Sequence, residues 1–264
     1  MHLLALLLLA AATPPDLVEV APGTVVRWAA DGIVECRQAG RRSAPLDGAC
    51  YFPVDLLAEG GIEVSIRTAG GEARRQLRVG SYPYPVQEIR GVEQKYVEPS
   101  RADQERIRRE QERVAALWKL ATARRFTLPL ASPLPKLPEG GRFGARRIFN
   151  GQPRSPHGGA DYRATTGTPV LAPADGVVAL AEEQFFAGRA VYLDHGDGLI
   201  SMSFHLSEIA VEEGEEVRRG QLLGKVGATG RVTGPHLHFG LRWRGARVDP
   251  ALLLGDPAAL TALE

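Results

Sequence analysis

Residues 17–80 alternate apolar and polar positions over short runs broken by Gly, Asp and Pro. Residues 24–28 (TVVRW), 61–66 (GIEVSI) and 75–79 (RQLRV) are the clearest, and a period of two predicts strands with one face turned inward. Several such strands at close spacing predict a β-sandwich-like module over 13–90. Pro83, Pro85 and Pro99 mark an extended connector. From Ser100 the texture changes. Ser100 with Asp103 makes a capping-box-like start, and no Gly or Pro follows before Pro129, so a long helix is expected. Ile107, Val114, Leu117 and Ala121 fall near one face of it and the rest is heavily charged, which predicts a narrow packing stripe and a solvated back. Residues 126–141 hold four prolines and end in Gly-Gly, the composition of a linker or irregular wrapping segment. The whole connector, helix and linker, spans 91–138.

Beyond it, over 139–255, the pattern predicts a second β domain with little helix. Strand candidates are 168–172, 176–181, 189–194, 199–205, 221–226 and 236–243. His195-Gly196-Asp197-Gly198 between two apolar-rich runs is a hairpin signal. A glycine-rich loop, 227–234, separates the last two strands. The Leu/Ala-rich end after Pro250 can form a short helix, and 256–264 reads as a tail.

At the other end, residues 2–12 form an apolar run closing on Ala10-Ala11-Ala12, with prolines behind it. That is the form of a cleaved export signal over 1–12, and the run is too short to span a bilayer. Export places the mature chain in the periplasm or cell envelope. It also bears on Cys36 and Cys50. In an oxidising compartment they could pair, closing a loop worth about 3 kcal/mol in the chain-entropy model. The other reading is two buried thiols behaving as small apolar residues. Neither is a zinc-ligand candidate, because there is no second cysteine pair.

Composition narrows the function classes. The chain has 264 residues, 44% hydrophobic and 24% charged, with a formal net charge of +1. That is enough chain for real cores without a metal to hold them. A strongly electrostatic nucleic-acid binder would show a basic excess, so nucleic acid is not expected as a partner. No stretch reaches 18 uninterrupted apolar residues, so no transmembrane anchor is expected in the mature chain.

Chemistry concentrates in the histidines. Five of the six lie in the C-terminal half. His236 and His238 sit two apart in a strand, so both rings face one side, and a metal is an economical partner for two adjacent imidazoles. His157 and Asp161 flank Gly158-Gly159, which disfavours a helix, but a loop could bring both to one cation. His205 closes a hairpin strand, and His195 sits at the hairpin turn. For each of these two, a hydrogen-bonded core histidine is the plain reading.

His157-x-x-x-Asp161, Phe204-His205-Leu206 and His236-Leu237-His238 occur in that order, with Gly227 to Pro235 (GATGRVTGP) directly before the last. The set resembles the LytM/lysostaphin-type zinc peptidases, the M23 peptidase family. RFGARR at 142–147, RSPHGGADYRA at 154–164, Gly167 to Val170, Asp194 to Gly198 and Arg219 to Gln221 agree with it. The likeness covers about 140–252. Less specifically, 17–125 looks like the β domain and charged helix that precede the peptidase in one exported branch. The resemblance implies a small, mainly antiparallel β peptidase domain with an open groove. It implies that His157, Asp161 and His238 bind Zn²⁺ and that His205 and His236 are the catalytic histidines outside the ligand set. It further implies hydrolysis of stem-peptide or cross-bridge bonds in bacterial peptidoglycan. Some relatives have lost ligands and act as non-catalytic activators of other wall hydrolases; here all five positions are filled. Two departures stand out: Ser203 where an aromatic is usual, and Ala160 where a bulkier aliphatic is common. Beside this domain, the helix and linker could either cover the groove until a cell-envelope partner or proteolysis moves them, or act as a rigid spacer.

Overall fold

The computed structural model describes residues 17–264; the apolar segment 1–12 lies outside the described residues. The chain is mainly β. Its N-terminal part is two facing sheets. One has the strand order Leu17–Val20, Gly71–Val79, Gly60–Thr68, Glu35–Gln38, Arg41–Ser43. The other holds Ala49–Pro53 and Val25–Ala29, with Thr261–Leu263 added in parallel to the latter. Val26, Trp28, Phe52, Val64, Ile66 and Leu77 fill the space between. Cys36, on the first sheet, and Cys50, on the second, are joined by a disulfide. Of the two readings left open by the sequence, the structure takes the crosslink. The segment 256–264, read above as a tail, closes the second sheet, and Leu263 is buried in the sandwich core. No local pattern announces that pairing, because its partner lies more than 230 positions away.

The charged helix runs Arg101–Leu117 and is capped as its sequence demands, the Ser100 side chain accepting from Asp103 N. It stops well before Pro129. The following residues are drawn along the hairpin turn of the second domain. There Asp197 N donates to Thr122 O at 2.9 Å and Arg125 N to His195 O at 2.7 Å, while Thr122 Oγ1 donates to Asp194 Oδ2 at 2.7 Å. Tertiary hydrogen bonds here outcompete helix continuation, whose propensity terms are only tenths of a kcal/mol per residue.

The second domain is built on a nine-stranded sheet. Its spine is antiparallel: Ala160–Arg163, His236–Trp243, Leu199–Ile209, Gly188–Asp194, Gly176–Gln184, Glu216–Val217. Leu222–Val226 joins Leu199–Ile209 to Pro169–Leu171, and Ala246–Val248 flanks His236–Trp243. Each strand candidate of this region forms, and Ala160–Arg163 is an addition. Gly158-Gly159 hid it, because the glycines reorient the chain just before the strand begins.

Alternation divides the sheet sharply. On one face Leu237, Phe239, Leu241 and Trp243 are fully buried. They pack with Phe126, Leu130 and Leu134 of the proline-rich segment and with Val25 and Tyr51 of the N-terminal module. The Tyr51 and Trp243 rings lie 5.6 Å apart, and an Asp55–Arg247 ion pair at 2.6 Å ties the two parts together beside them. The other face carries His236 and His238. The end of the long helix packs on that face farther along, with Leu117 against Leu180, Tyr192, Ile200 and Met202. Phe126, Leu130 and Leu134 of the proline-rich segment therefore lie behind the sheet, while the segment's end, Gly141, reaches Asp161, its carbonyl accepting the Asp161 N–H. The long helix flanks the histidine face.

Candidate active site

The central strand His236–Trp243 sets the register of the site. Asp161 is paired opposite His238 on one side, and Phe204 opposite it on the other. Residues directly opposite point to the same face, so the pairing alone brings Asp161, His238 and Phe204 together. The Phe204 and His238 rings stack at 5.1 Å with planes 7° apart. His157 is held by the backbone, its N donating to Ala145 O and its O accepting from Gly144 N. Its Nε2 lies 2.9 Å from His238 Nδ1 and 3.0 Å from Asp161 Oδ1, and His238 Nδ1 lies 2.9 Å from the same oxygen. The close approach requires glycine at 159, where a Cβ would stand 2.7 Å from His238 Nε2.

His205 reaches the same face by a different route. Simple alternation would send it opposite to Phe204. The register between Leu199–Ile209 and Gly188–Asp194 shifts near this point, and His205 has φ +66°. A bulge of this kind re-aims one side chain. The left-handed conformation costs roughly 1 kcal/mol or more for a non-glycine residue. The result is a His205 ring 4.8 Å from that of His236 and 6.0 Å from that of His238. His236 Nε2 in turn lies 3.7 Å from Asp161 Oδ1.

Backbone carbonyls set the tautomers. His157 Nδ1 is 2.9 Å from Arg142 O, His205 Nδ1 2.9 Å from Thr229 O, and His236 Nδ1 2.8 Å from Gly234 O. A carbonyl can only accept, so each Nδ1 carries the proton and each Nε2 keeps its lone pair. His195 differs. Its Nδ1–H donates to Asp175 O at 2.7 Å and its Nε2 accepts from Ser201 Oγ at 2.8 Å, leaving no free lone pair. It is fully buried at the hairpin turn, apart from the cluster, and burial pulls its pKa down to about 4.

The arrangement fits a cation. The atoms that His157, Asp161 and His238 offer all lie within 4.8 Å of one another. Contacts of 2.9–3.0 Å are a little under the edge, roughly 3.3 Å, of a tetrahedron with bonds of the length zinc makes to nitrogen and oxygen. Neutral imidazole and carboxylate are a zinc donor set, and the carbonyl behind His157 is the usual outer support. Burial would raise the Asp161 pKa, but hydrogen bonds and charge from His157 and His238 hold it far below the usual carboxylate range. Burial pulls His238 down to about 4 against the opposing pull of Asp161. Burial, then the charges of His238 and His236, pushes His205 well below its ordinary value. At neutral pH Asp161 is thus an anionic carboxylate beside the neutral imidazoles of His238 and His205.

Two features were not legible beforehand. Arg147 makes an ion pair with Asp161 through its Nη2 and Oδ2. It lies within the RFGARR segment, but in so arginine-rich a chain nothing singled it out. Phe204 is both the shelf under His238 and a wall of a cavity of about 410 Å³ between the helix and the sheet, with Ile107, Val114, Trp118, Phe186 and Tyr192.

Comparison with known proteins fits this geometry. The family model described as Peptidase family M23 matches residues 155–250, a span that contains all five residues. The peptidoglycan DD-endopeptidase ShyA of Vibrio cholerae is 44% identical over 108 residues, covering 40% of this chain and 25% of ShyA. The DD-carboxypeptidase/endopeptidase Mpg of Neisseria meningitidis is 46% identical over 94 residues, 36% of this chain and 22% of Mpg. The chain thus spans about a quarter of the length of these curated relatives. A crystal structure from Pseudomonas aeruginosa, described as an M23 peptidase, superposes with a TM-score of 0.67 at 32% identity. That match covers 89% of this chain and 95% of that one.

Proposed function

The chain belongs to peptidase family M23, and from that premise we propose that it is an exported zinc endopeptidase cutting peptide bonds of bacterial peptidoglycan. The observation that carries the proposal is the convergence of His157, Asp161 and His238 on one point, with His205 and His236 presenting free Nε2 atoms beside it. The naming of ShyA as a peptidoglycan DD-endopeptidase, and of Mpg as a DD-carboxypeptidase/endopeptidase, supports the substrate class. Among the described residues no helix is long and apolar enough to cross a membrane.

In this reading His157 Nε2, Asp161 and His238 Nδ1 hold the metal. When bound, zinc supplies Lewis-acid polarisation of a carbonyl and lowers the pKa of water. The remaining work belongs to the chain. His205 and His236 are each fixed by a carbonyl as the Nδ1–H tautomer, so each can take a proton at Nε2 from the attacking water. Once protonated, the same Nε2–H can return the proton to the leaving amine or donate to the developing oxyanion. Phe204 keeps the His238 ring in plane. Arg147 holds the second carboxylate oxygen of Asp161, which limits how the carboxylate can turn.

The test is chromatography of muropeptides after purified sacculi are digested by the full chain. New peptide-cleaved products should appear, vanish with a chelator and return with zinc. Unchanged muropeptides at every zinc concentration would contradict the proposal.

A further inference from the structure

Arg231 sits in the glycine-rich loop before His236 and has no part in the chemistry above. Its guanidinium lies 4.4 Å from the centroid of the Phe186 ring and 4.7 Å from that of Phe149. Those rings come from two segments that each hold a site residue. Phe149 ends the strand Arg146–Phe149, which carries Arg147 to Asp161. Phe186 precedes Ala187, whose carbonyl accepts the His205 N–H. The loop itself is fixed. Arg231 N donates to Phe186 O at 2.9 Å, and Gly230, at φ +74°, approaches so closely that a Cβ would stand 2.4 Å from Gly188 N. Little ordering remains to be done when something binds there.

The guanidinium lies over both rings, and its five N–H donors are left for recognition. Among the described residues it has no hydrogen-bonded acceptor and no ion pair. Its surroundings are positive. Arg147 has only Asp161, itself a proposed metal ligand, and Arg154 bonds only neutral acceptors: Val97 O, Pro153 O and Gln152 Oε1. Burial, then the charges of Arg147 and Arg154, lowers the Arg231 pKa to about 10, so it stays cationic at neutral pH. Three guanidiniums with one carboxylate, in a chain of net charge +1, are a local excess. A half-buried cation without a counter-ion is costly unless an anion arrives. Planar bidentate pairing makes carboxylate the matching ligand.

We propose that Arg231 is the carboxylate-binding residue of the groove, pairing with a free carboxylate of an acidic peptide substrate. The inference rests on the peptidase reading above, and it identifies a substrate feature that the metal site alone does not select. Both a chain-terminal carboxylate and a carboxylate on a side branch offer the same chemistry.

The experiment measures binding and cleavage separately, on the zinc-loaded full chain. The probes are a purified stem-peptide dimer with its carboxylates free, the same dimer amidated only at the terminus, and the same dimer amidated only at its side-branch carboxylates. By titration calorimetry, the wild type should bind the free acid about ten-fold or more tightly than one of the amides, and which amide is weakened names the source. Arg231→Gln should bind all three alike, and Arg231→Lys should recover part of the preference. A merely structural role would weaken every peptide equally. Equal affinities for the three peptides in the wild type, or an unchanged preference in Arg231→Gln, overturn the proposal even if the dimer is cut. Intact discrimination without cleavage supports the carboxylate site and counts against the hydrolytic reading alone.

Discussion

The strand His236–Trp243 serves two masters. Its odd-numbered side chains, Leu237, Phe239, Leu241 and Trp243, are sealed between the sheet, the proline-rich segment and the N-terminal module. Its even-numbered side chains begin with His236 and His238, half-buried polar groups that pack beside Asp161 and His205 and contribute little apolar burial. One face holds the molecule together, and the other gathers a polar cluster at the expense of apolar burial. The histidines make the contrast sharpest. His195, behind the sheet, uses both ring nitrogens within the protein. His205 and His236 each hydrogen-bond through Nδ1 alone, to a carbonyl, and His157, held at Nδ1 in the same way, turns its Nε2 only toward His238 and Asp161. Counting the occupied ring nitrogens separates His195 from His205 and His236, where burial alone does not set it apart from His205.

If this division is right, substitutions on the two faces should fail in different ways. The largest effect on folding is expected at Trp243, which is fully buried against Tyr51 and Phe126. Trp243→Ala should cost about 3–5 kcal/mol in urea unfolding. A loss below about 1 kcal/mol would mean that the back face is not the structural one.

His195 gives the next largest effect, through pH. Its folded pKa, about 4, lies below the unfolded value of about 6.5, so the folded state resists protonation. Its contribution is fully present above pH 6.5 and is lost as pH falls from there to 4, by about 3 kcal/mol. His195→Asn keeps a donor for Asp175 O and does not titrate. It should flatten the stability slope of the wild type between those pH values, read from denaturant unfolding at several pH values. Parallel slopes would remove His195 as the cause.

Asp55→Ala leaves Arg247 without its carboxylate between the two parts of the molecule. A loss of about 1–3 kcal/mol is expected in the same unfolding assay, with zinc content unchanged. Zinc lost at full stability would instead connect this interface to the front face. The smallest effect belongs to the helix that flanks the site. Ser100→Ala removes the cap on Asp103 N and should cost about 1 kcal/mol. A drop in zinc affinity would show that the helix does more than flank.

The same two faces explain what the sequence could reveal. The back face was legible because a period of two over His236–Trp243 and the neighbouring strands is a local signal. The Ser100 cap was legible for the same reason. The bulge was not, since a straight strand through His205 points that ring the wrong way, and only the pairing register corrects it. Arg147 and Arg231 were missed because arginine is common throughout this chain and their partners lie elsewhere in sequence. The Thr261–Leu263 strand was missed because its apolar content has meaning only beside Val25–Ala29. The five site residues became legible as a set through their order along the chain, while their convergence on one point is a property of the fold.

The central claim is that the front face is built to hold a metal, and zinc stoichiometry tests it most directly. Purified protein dialysed against trace zinc should retain one zinc per chain. His238→Ala should retain none while staying folded, and His205→Ala should keep its zinc and lose turnover. A wild-type chain without zinc, or a His238→Ala chain that still holds it, would contradict the account.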